Sequence, residues 1–335
     1  MHTTTFRDAL REALVDEMRR DERVIVIGED IGRPEEGVFK VTRGLEAEFG
    51  TERVRNTPIS EAAIIGCAVG AAIAGLRPVA EIMFSGFMHL AMDQLCNHGA
   101  IMRYMSGGQV QVPLVVRVGY GIQNQSGAQH ATVGISRLLN NPGVKVAIPS
   151  SPHDAKGLLK AAIRDNNPVV VFEHIDLYRS SGDIPEEDYV VPLGQAQVRR
   201  PGKDVTVIAT GVIVGRALEA ASTLAADGVE VEVVDPRTLV PFDRATILAS
   251  VRKTGRVIIA EEGPKTGGEG AEIAAILAEE AFAELRTPII RLACPDVPAP
   301  FSPVLERSVM TSSAQITAAV TRLLALGDRP GAYVA

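Results

Sequence analysis

No run of this 335-residue chain is long and apolar enough to span a bilayer; the stretch from Ala62 to Leu76 is Gly-rich and stops short of the ~20 residues a spanning helix needs. Basic clusters interleaved with aromatics are missing, and a net charge of −7 argues against nonspecific nucleic-acid binding while favouring solubility. Cysteine is scarce. Cys67, Cys96 and Cys294 lack metal-type spacing and two fall in apolar, helix-like runs, so buried reduced thiols in a cytoplasmic protein are expected. Met1 to Arg20 carries Asp8, Glu12, Asp16 and Glu17 and no long apolar core, which excludes a secretory signal there. Nucleotide fingerprints fail as well. Gly119-Tyr120-Gly121-Ile122-Gln123-Asn124 follows a strand but lacks a third glycine, Gly268-Glu269-Gly270 puts an acid where a pyrophosphate would approach, and no P-loop, nucleophile elbow or HExxH occurs.

What is present is alternation. The length suits two domains with full cores. Helical spacing from Phe6 to Arg19 is followed by a strand at Val24–Gly28, and the pattern continues with helices at Val38–Phe49, Glu61–Leu76, Leu90–Arg103 and Pro152–Arg164. Strands are expected at Pro78–Met83, Val112–Val118, Val144–Ile148 and Val169–Phe172. From about Asp176 to Asp204 the pattern lapses into polar, Gly- and Pro-broken sequence that reads as a connection. A second alternation follows, with strands at Val205–Ala209, Val229–Val234, Val257–Ala260 and Ile289–Leu292 and helices at Val214–Ala226, Asp243–Val251, Gly270–Leu285 and Ser313–Ala325. Short apolar strands between helices predict an α/β protein with two doubly wound parallel-sheet domains, covering 1–180 and 205–328 and joined by a linker over 181–204.

Four stretches carry chemistry. In Asn56-Thr57-Pro58-Ile59-Ser60-Glu61, Ser60 reads as the N-cap of a helix that lacks a polar face and should be buried. Glu61 then either serves the helix dipole or is a carboxyl whose protonation is poised, because its neighbours Ala62 to Ile65 offer no charge partner. Gly119 to His130 is a polar loop at the end of a buried strand, where α/β proteins build sites; His130 is either merely exposed or a proton carrier. Phe87, in Phe84-Ser85-Gly86-Phe87, either packs in the core or stacks on a flat ring. Asp165-Asn166-Asn167-Pro168 is either an Asx-rich turn or a loop offering oxygens to a hard cation.

Taken with Gly28-Glu29-Asp30, Gly70 to Pro78, Met92-Asp93-Gln94, Tyr104 to Gly108, Gln129-His130, Asp154 to Leu158, Pro264 to Gly268 and Asp296-Val297-Pro298, these motifs run nearly end to end. In that order they resemble the β subunit of the thiamine-diphosphate-dependent first component of 2-oxo acid dehydrogenase complexes, the pyruvate, branched-chain and acetoin dehydrogenase family. The resemblance implies a transketolase-like pyrimidine-binding domain followed by a transketolase C-terminal-like domain. It implies that Glu61 hydrogen-bonds the aminopyrimidine ring nitrogen of the cofactor, that Phe87 packs on that ring, and that His130 handles protons or the incoming lipoyl group. Leu114, Ala162, Asp165 and Asn167 match potassium-site positions, the first two through backbone carbonyls. Mg²⁺ would be held mainly by an α subunit in a heterotetramer of two α and two β chains, which passes the acyl group from a small 2-oxo acid to a lipoyl-bearing acyltransferase. Two other readings stay open: half of a split transketolase-like or acyloin-forming enzyme, and a noncatalytic α/β binding protein that keeps the fold. The family's Gly-Pro-Gln-His-Ser is here Gly127-Ala128-Gln129-His130-Ala131, and His89 and Leu90 stand where members vary with substrate.

Overall fold

The computed structural model describes residues 1–122 and 125–327. Gln123 and Asn124 of the polar loop, and residue 328 at the end of the expected second domain, lie outside the described residues. The described residues form two compact units, one from 1–121 and 129–193, the other from 122, 125–128 and 194–327.

In the first unit six parallel strands lie side by side in the order Lys145–Ala147, Val169–His174, Val115–Tyr120, Arg77–Ile82, Val24–Glu29 and Val54–Thr57. Strands Val24–Glu29, Val115–Tyr120 and Val169–His174 are buried along their whole length, as crossover helices on both faces require, whereas the edge strand Val54–Thr57 is buried only at Val54. The helices Phe6–Arg20 and Pro152–Arg164 pack together over this sheet through Phe6, Leu10, Leu14, Leu159 and Ile163. Thr5 and Ser151 cap them, each hydroxyl accepting an N–H from the first turn, and Pro152 sits where a missing N–H costs nothing. Between the two helices Lys156, Lys160 and Arg164, one helical turn apart, pair with Glu12, Asp16 and Glu17.

The second unit has a five-stranded sheet in the order Ile290–Cys294, Val257–Pro264, Val205–Ala209, Val231–Asp235 and Gln197–Arg200, parallel except for the last strand. Helices Val212–Ala225 and Ser313–Ala325 close its core with Ala217, Ala221, Leu224, Ile316, Val320 and Leu323. Residues 181–204 are not featureless: Ser181–Ile184 pairs antiparallel with His2–Thr5 in the first unit, and Gln197–Arg200 edges the second sheet.

Several expected elements differ. The Val38–Phe49 helix shrinks to Leu45–Phe49, because Gly44 turns left-handed at φ 82° and the Thr42 hydroxyl donates to the Ile31 carbonyl, holding the preceding residues in turns. Leu90–Arg103 is not one α-helix: a 3₁₀ stretch Ser85–Ala91, a π-helix Asp93–Ala100 and a single α turn Met102–Met105 succeed one another. The helix after Glu61 ends at Ile73, and it is not buried all round: Ala63, Cys67, Gly70 and Ile73 are exposed along one side. Cys67 is therefore an exposed thiol, whereas Cys294 is buried. Among the described residues no helix is long and apolar enough to cross a membrane.

A buried charge cluster lies at the centre of the first sheet. Glu81 stands opposite Arg117 in register, and Glu173 lies two residues beyond Val171, which faces Arg117 on the other side, so the three side chains share one face. Arg117 donates to both Glu173 oxygens at 2.7 and 2.6 Å and to Glu81 at 2.6 Å, and the Tyr178 hydroxyl completes Glu173 at 2.8 Å. Replacing Arg117 by Met strands two buried carboxylates. Urea unfolding of Arg117→Met is expected to show a loss of about 3–5 kcal/mol, with much of it recovered when Glu81 and Glu173 are also made apolar; an unchanged midpoint in the single variant would show that the cluster carries no net weight.

Candidate active site

Glu61, Phe87 and His130 each follow the C-terminal end of a strand of the same parallel sheet, the edge at which open α/β sheets build sites, whereas the four cation-site positions precede the N-terminal ends of strands Val115–Tyr120 and Val169–His174. Strand Val54–Thr57 passes through Pro58 to Ser60 into helix Glu61–Ile73. Ser60 occupies the N-cap in an extended conformation, but its hydroxyl makes no capping bond, contrary to the expectation. Glu61 is 6% exposed, backed by Ile64, Ile65 and Ala68, and no described side chain hydrogen-bonds its carboxylate.

Facing it is a second acid. Glu29, at the end of strand Val24–Glu29, is buried and its Oε2 has no hydrogen-bond partner among the described residues; nor has the buried Oγ1 of Thr57, opposite Glu29 in register. Burial first, and then the charges of Glu61, Asp30 and Glu81, push the Glu29 carboxyl above its ordinary range. Buried polar atoms are nearly always paired, so orphans gathered beside Glu61 mark hydrogen-bonding capacity left for something outside this chain. Two carboxyl groups and a hydroxyl, able to accept N–H groups and, where protonated, to donate, suit a flat heterocycle carrying both ring nitrogens and amino groups.

Helix Glu61–Ile73 packs on the turn Ser85–Ala91, which carries Phe87. Phe87 is half-buried, and its ring meets Phe84 at 5.6 Å and His130 at 5.5 Å between centroids, both edge-to-face. His130 ends the short helix Gly127–His130, and Phe84 lies closer to its imidazole, at 4.9 Å. His89 and Leu90 point outward, Leu90 at 62% exposed.

The four cation-site positions surround the turn between helix Pro152–Arg164 and strand Val169–His174. The carbonyls of Leu114 and Ala162 accept N–H groups from Val169 and Asp165, and each retains a second lone pair. Asp165 accepts from the Asn167 backbone and side chain, both at 2.8 Å, and from the Lys145 ammonium. Burial pushes the Asp165 carboxyl up, but the bonds from Lys145 and Asn167 outweigh it and hold it below its usual range. Arg77 donates to the carbonyls of Ile163 and Asp165, and Arg103 to the Asn167 side chain. With Lys145, Arg77 and Arg103 already donating into it, the turn lacks the excess negative charge that a divalent ion needs. Among the described residues no cluster of three His, Cys, Asp or Glu side chains forms a metal site.

Comparison with known proteins identifies the two domains. The transketolase pyrimidine-binding domain matches residues 2–181 and the transketolase C-terminal domain residues 194–316. A solved structure described as a split-gene transketolase, inactive beta4 tetramer, superposes with a TM-score of 0.80 at 26% identity, covering 97% of this chain and 99% of its own. The fold is thus transketolase-like. The 2-oxoisovalerate dehydrogenase subunit beta of Bacillus subtilis (strain 168) is 44% identical over 96% of this chain and 99% of its own length. In the same organism the beta subunits of acetoin:2,6-dichlorophenolindophenol oxidoreductase and of the pyruvate dehydrogenase E1 component are each 45% identical, over 95% and 90% of this chain and 96% and 93% of their own. The chain belongs to the family of β subunits of the 2-oxo acid and acetoin dehydrogenases.

Two residues of the site escape a sequence reading. Glu29 carries a local signal, an acid closing a buried strand, but its meaning depends on Glu61, which the parallel pairing of Val24–Glu29 with Val54–Thr57 brings near. Phe84 has no signal apart from adjacency to Phe87. Because the Glu29 carboxyl is raised in the folded chain, its ionisation opposes folding at every pH above its unfolded value, and the penalty grows until the folded group has itself ionised. Glu29→Gln is therefore expected to raise the thermal midpoint of the cofactor-free protein at about pH 8, with the gain shrinking towards the free glutamate value of about 4.3. A destabilisation of equal size at both ends of that range would remove Glu29 from this account.

Proposed function

We propose that this chain is the β subunit of a thiamine-diphosphate-dependent dehydrogenase that decarboxylates a small 2-oxo acid, or cleaves acetoin, and delivers the acyl group to lipoyl groups of an acyltransferase core. The observation that carries the reading is Glu61, buried, unpaired and flanked by the orphaned oxygens of Glu29 and Thr57. These groups fit the aminopyrimidine half of thiamine diphosphate: Glu61 would share a proton with its ring nitrogen, and Phe87 would pack on its face. When bound, the cofactor supplies the electron sink that a 2-oxo acid needs to lose CO₂. Glu61 holds the proton whose position sets the tautomer of the pyrimidine, and His130 moves protons at the substrate or receives the lipoyl group.

The chain offers only part of a site. A Gly-Asp-Gly…Asn-Asn segment that would hold Mg²⁺ between phosphates does not occur in its sequence. An α chain would therefore complete the site, in a heterotetramer of two α and two β subunits. The uncovered side of helix Glu61–Ile73 supports a neighbour there, since Ala63, Cys67, Gly70 and Ile73 offer it no charge. The solved split-gene relative, a tetramer of β chains alone, is described as inactive, in keeping with a need for the other chain. The same relative keeps a split transketolase in view as a second reading; reduction of lipoyl domains separates the two.

In the complex with its α chain, Glu61→Gln keeps the volume but cannot give up or share the proton. The variant is expected to fold and bind cofactor while hydrogen–deuterium exchange at the cofactor C2 and substrate decarboxylation both fall by at least about 10²-fold. If Glu61 only serves the helix dipole, the loss is confined to about 0.3–1 kcal/mol of stability and exchange runs at the wild-type rate.

We also propose potassium at the Asp165 turn, held by the carbonyls of Leu114 and Ala162 together with Asp165 and Asn167. Crystals soaked in a thallium salt are expected to show an anomalous peak among these oxygens. A position filled by the Lys145 ammonium alone would overturn the assignment.

A further inference from the structure

The backbone that follows strand Arg77–Ile82 lies directly against the turn that carries His130. Gly86 has no side chain, and a Cβ added there would stand 2.7 Å from the Gln129 carbonyl oxygen, closer than non-bonded atoms approach. One residue earlier, the buried Ser85 hydroxyl donates to the Thr132 carbonyl. Between these two anchors the Phe84 ring meets the His130 imidazole edge-to-face at 4.9 Å, with the planes at 87°. Phe84 is itself supported. Phe39 packs against it at 5.6 Å, Tyr178 lies against Phe39 at 5.2 Å, and the Tyr178 hydroxyl donates to Glu173 in the buried cluster around Arg117. Gly119 leaves room for this stack, since a Cβ there would meet Phe39 at 3.3 Å and the Met83 carbonyl at 2.6 Å.

We propose that Phe84 and Gly86 are positioning residues for His130, setting the orientation of its imidazole from the rigid centre of the sheet. The inference rests on the reading of His130 as the group that moves protons or receives the lipoyl chain. A helix of four residues fixes neither its own axis nor a side chain at its end, because one turn is too short to be stable alone. Its geometry must come from what it touches. The edge-to-face contact with Phe84 allows few imidazole orientations, and Gly86 allows the two backbones to close until Ser85 reaches Thr132. The cofactor-activating acid Glu61 stands on another element, so the two functions separate in a variant.

Phe84→Leu, Gly86→Ala and Phe84→Tyr are compared in the complex with the α chain, using pyruvate, 2-oxoisovalerate and acetoin as substrates. Phe84→Leu and Gly86→Ala are expected to lower kcat by about 10–100-fold at little-changed KM, as misplacement of a working group by about 1 Å does. Phe84→Tyr keeps the ring and is expected to restore wild-type turnover, and all three are expected to keep wild-type hydrogen exchange at the cofactor C2. Amide exchange of residues 129–132 is measured in the chain alone and is expected to accelerate in Phe84→Leu and Gly86→Ala but not in Phe84→Tyr. Phe84→Leu preserves an apolar side chain and carries the test if Gly86→Ala does not fold. Wild-type kcat and amide exchange in Phe84→Leu would overturn the proposal. So would a parallel fall in C2 exchange, which would mean that the change reaches the cofactor-holding groups, through Phe87 in contact with Phe84 or through Glu61. Absence of C2 exchange in the wild-type complex would instead count against the functional reading, leaving the amide-exchange comparison to decide whether the grip on residues 129–132 exists.

Discussion

Arg117, held between Glu81 and Glu173 in the middle of the first sheet, is the constraint on which the rest of the site depends. Burial works against its charge, but the two carboxylates more than compensate, so the guanidinium stays firmly protonated. Such a cluster is weak as a source of stability, because desolvation consumes most of what the ion pairs return. Its value is geometric. The bidentate bond to Glu173 fixes strand Val115–Tyr120 against Val169–His174, and the bond to Glu81 fixes it against Arg77–Ile82. The loops carrying His130 and Phe87 begin where two of these three strands end, so their origins are fixed to hydrogen-bond accuracy.

The cluster also shapes the electrostatics above it. One guanidinium faces two carboxyl groups, and burial pushes Glu81 upward despite its bond to Arg117. Glu81 in turn lies near enough to raise Glu29, which is raised further by Glu61. A succession of buried acids thus runs from the sheet centre to the candidate cofactor position, with more carboxyl groups than cations to balance them. Interiors tolerate such an excess when protons are retained on some of the acids or when a ligand supplies the missing donors.

Much of the fold was legible in the sequence because its signals are local. Helices Pro152–Arg164 and Ser313–Ala325 and strand Val205–Ala209 were placed to the residue; Ser151 and Ser312 cap the helices, and the strand is a pure apolar run. The failures are places where distant contacts decide. Val38, Val41 and Leu45 keep helical spacing, yet Val41 reaches the core from a turn anchored by Thr42 on Ile31, and Leu45 does so only as the first residue of the shortened helix. The stretch after Phe84 winds as 3₁₀ and then π rather than α, which apolar periodicity cannot distinguish. Within the site, Glu61, Phe87 and His130 stand out by residue type and by position after strands or at a helix start. Glu29, Phe84 and the Arg117 cluster do not, since each acquires its meaning only through strand register or ring contact across the sheet.

Helix Glu61–Ile73 presents its acid at one end and a bare apolar flank along its length. A copy of the chain without company displays the kind of surface that chaperones retain and proteases remove. A charge introduced at residue 63, 67, 70 or 73 would make that flank easier to keep in water and, by the same desolvation cost, harder to cover with an apolar neighbour.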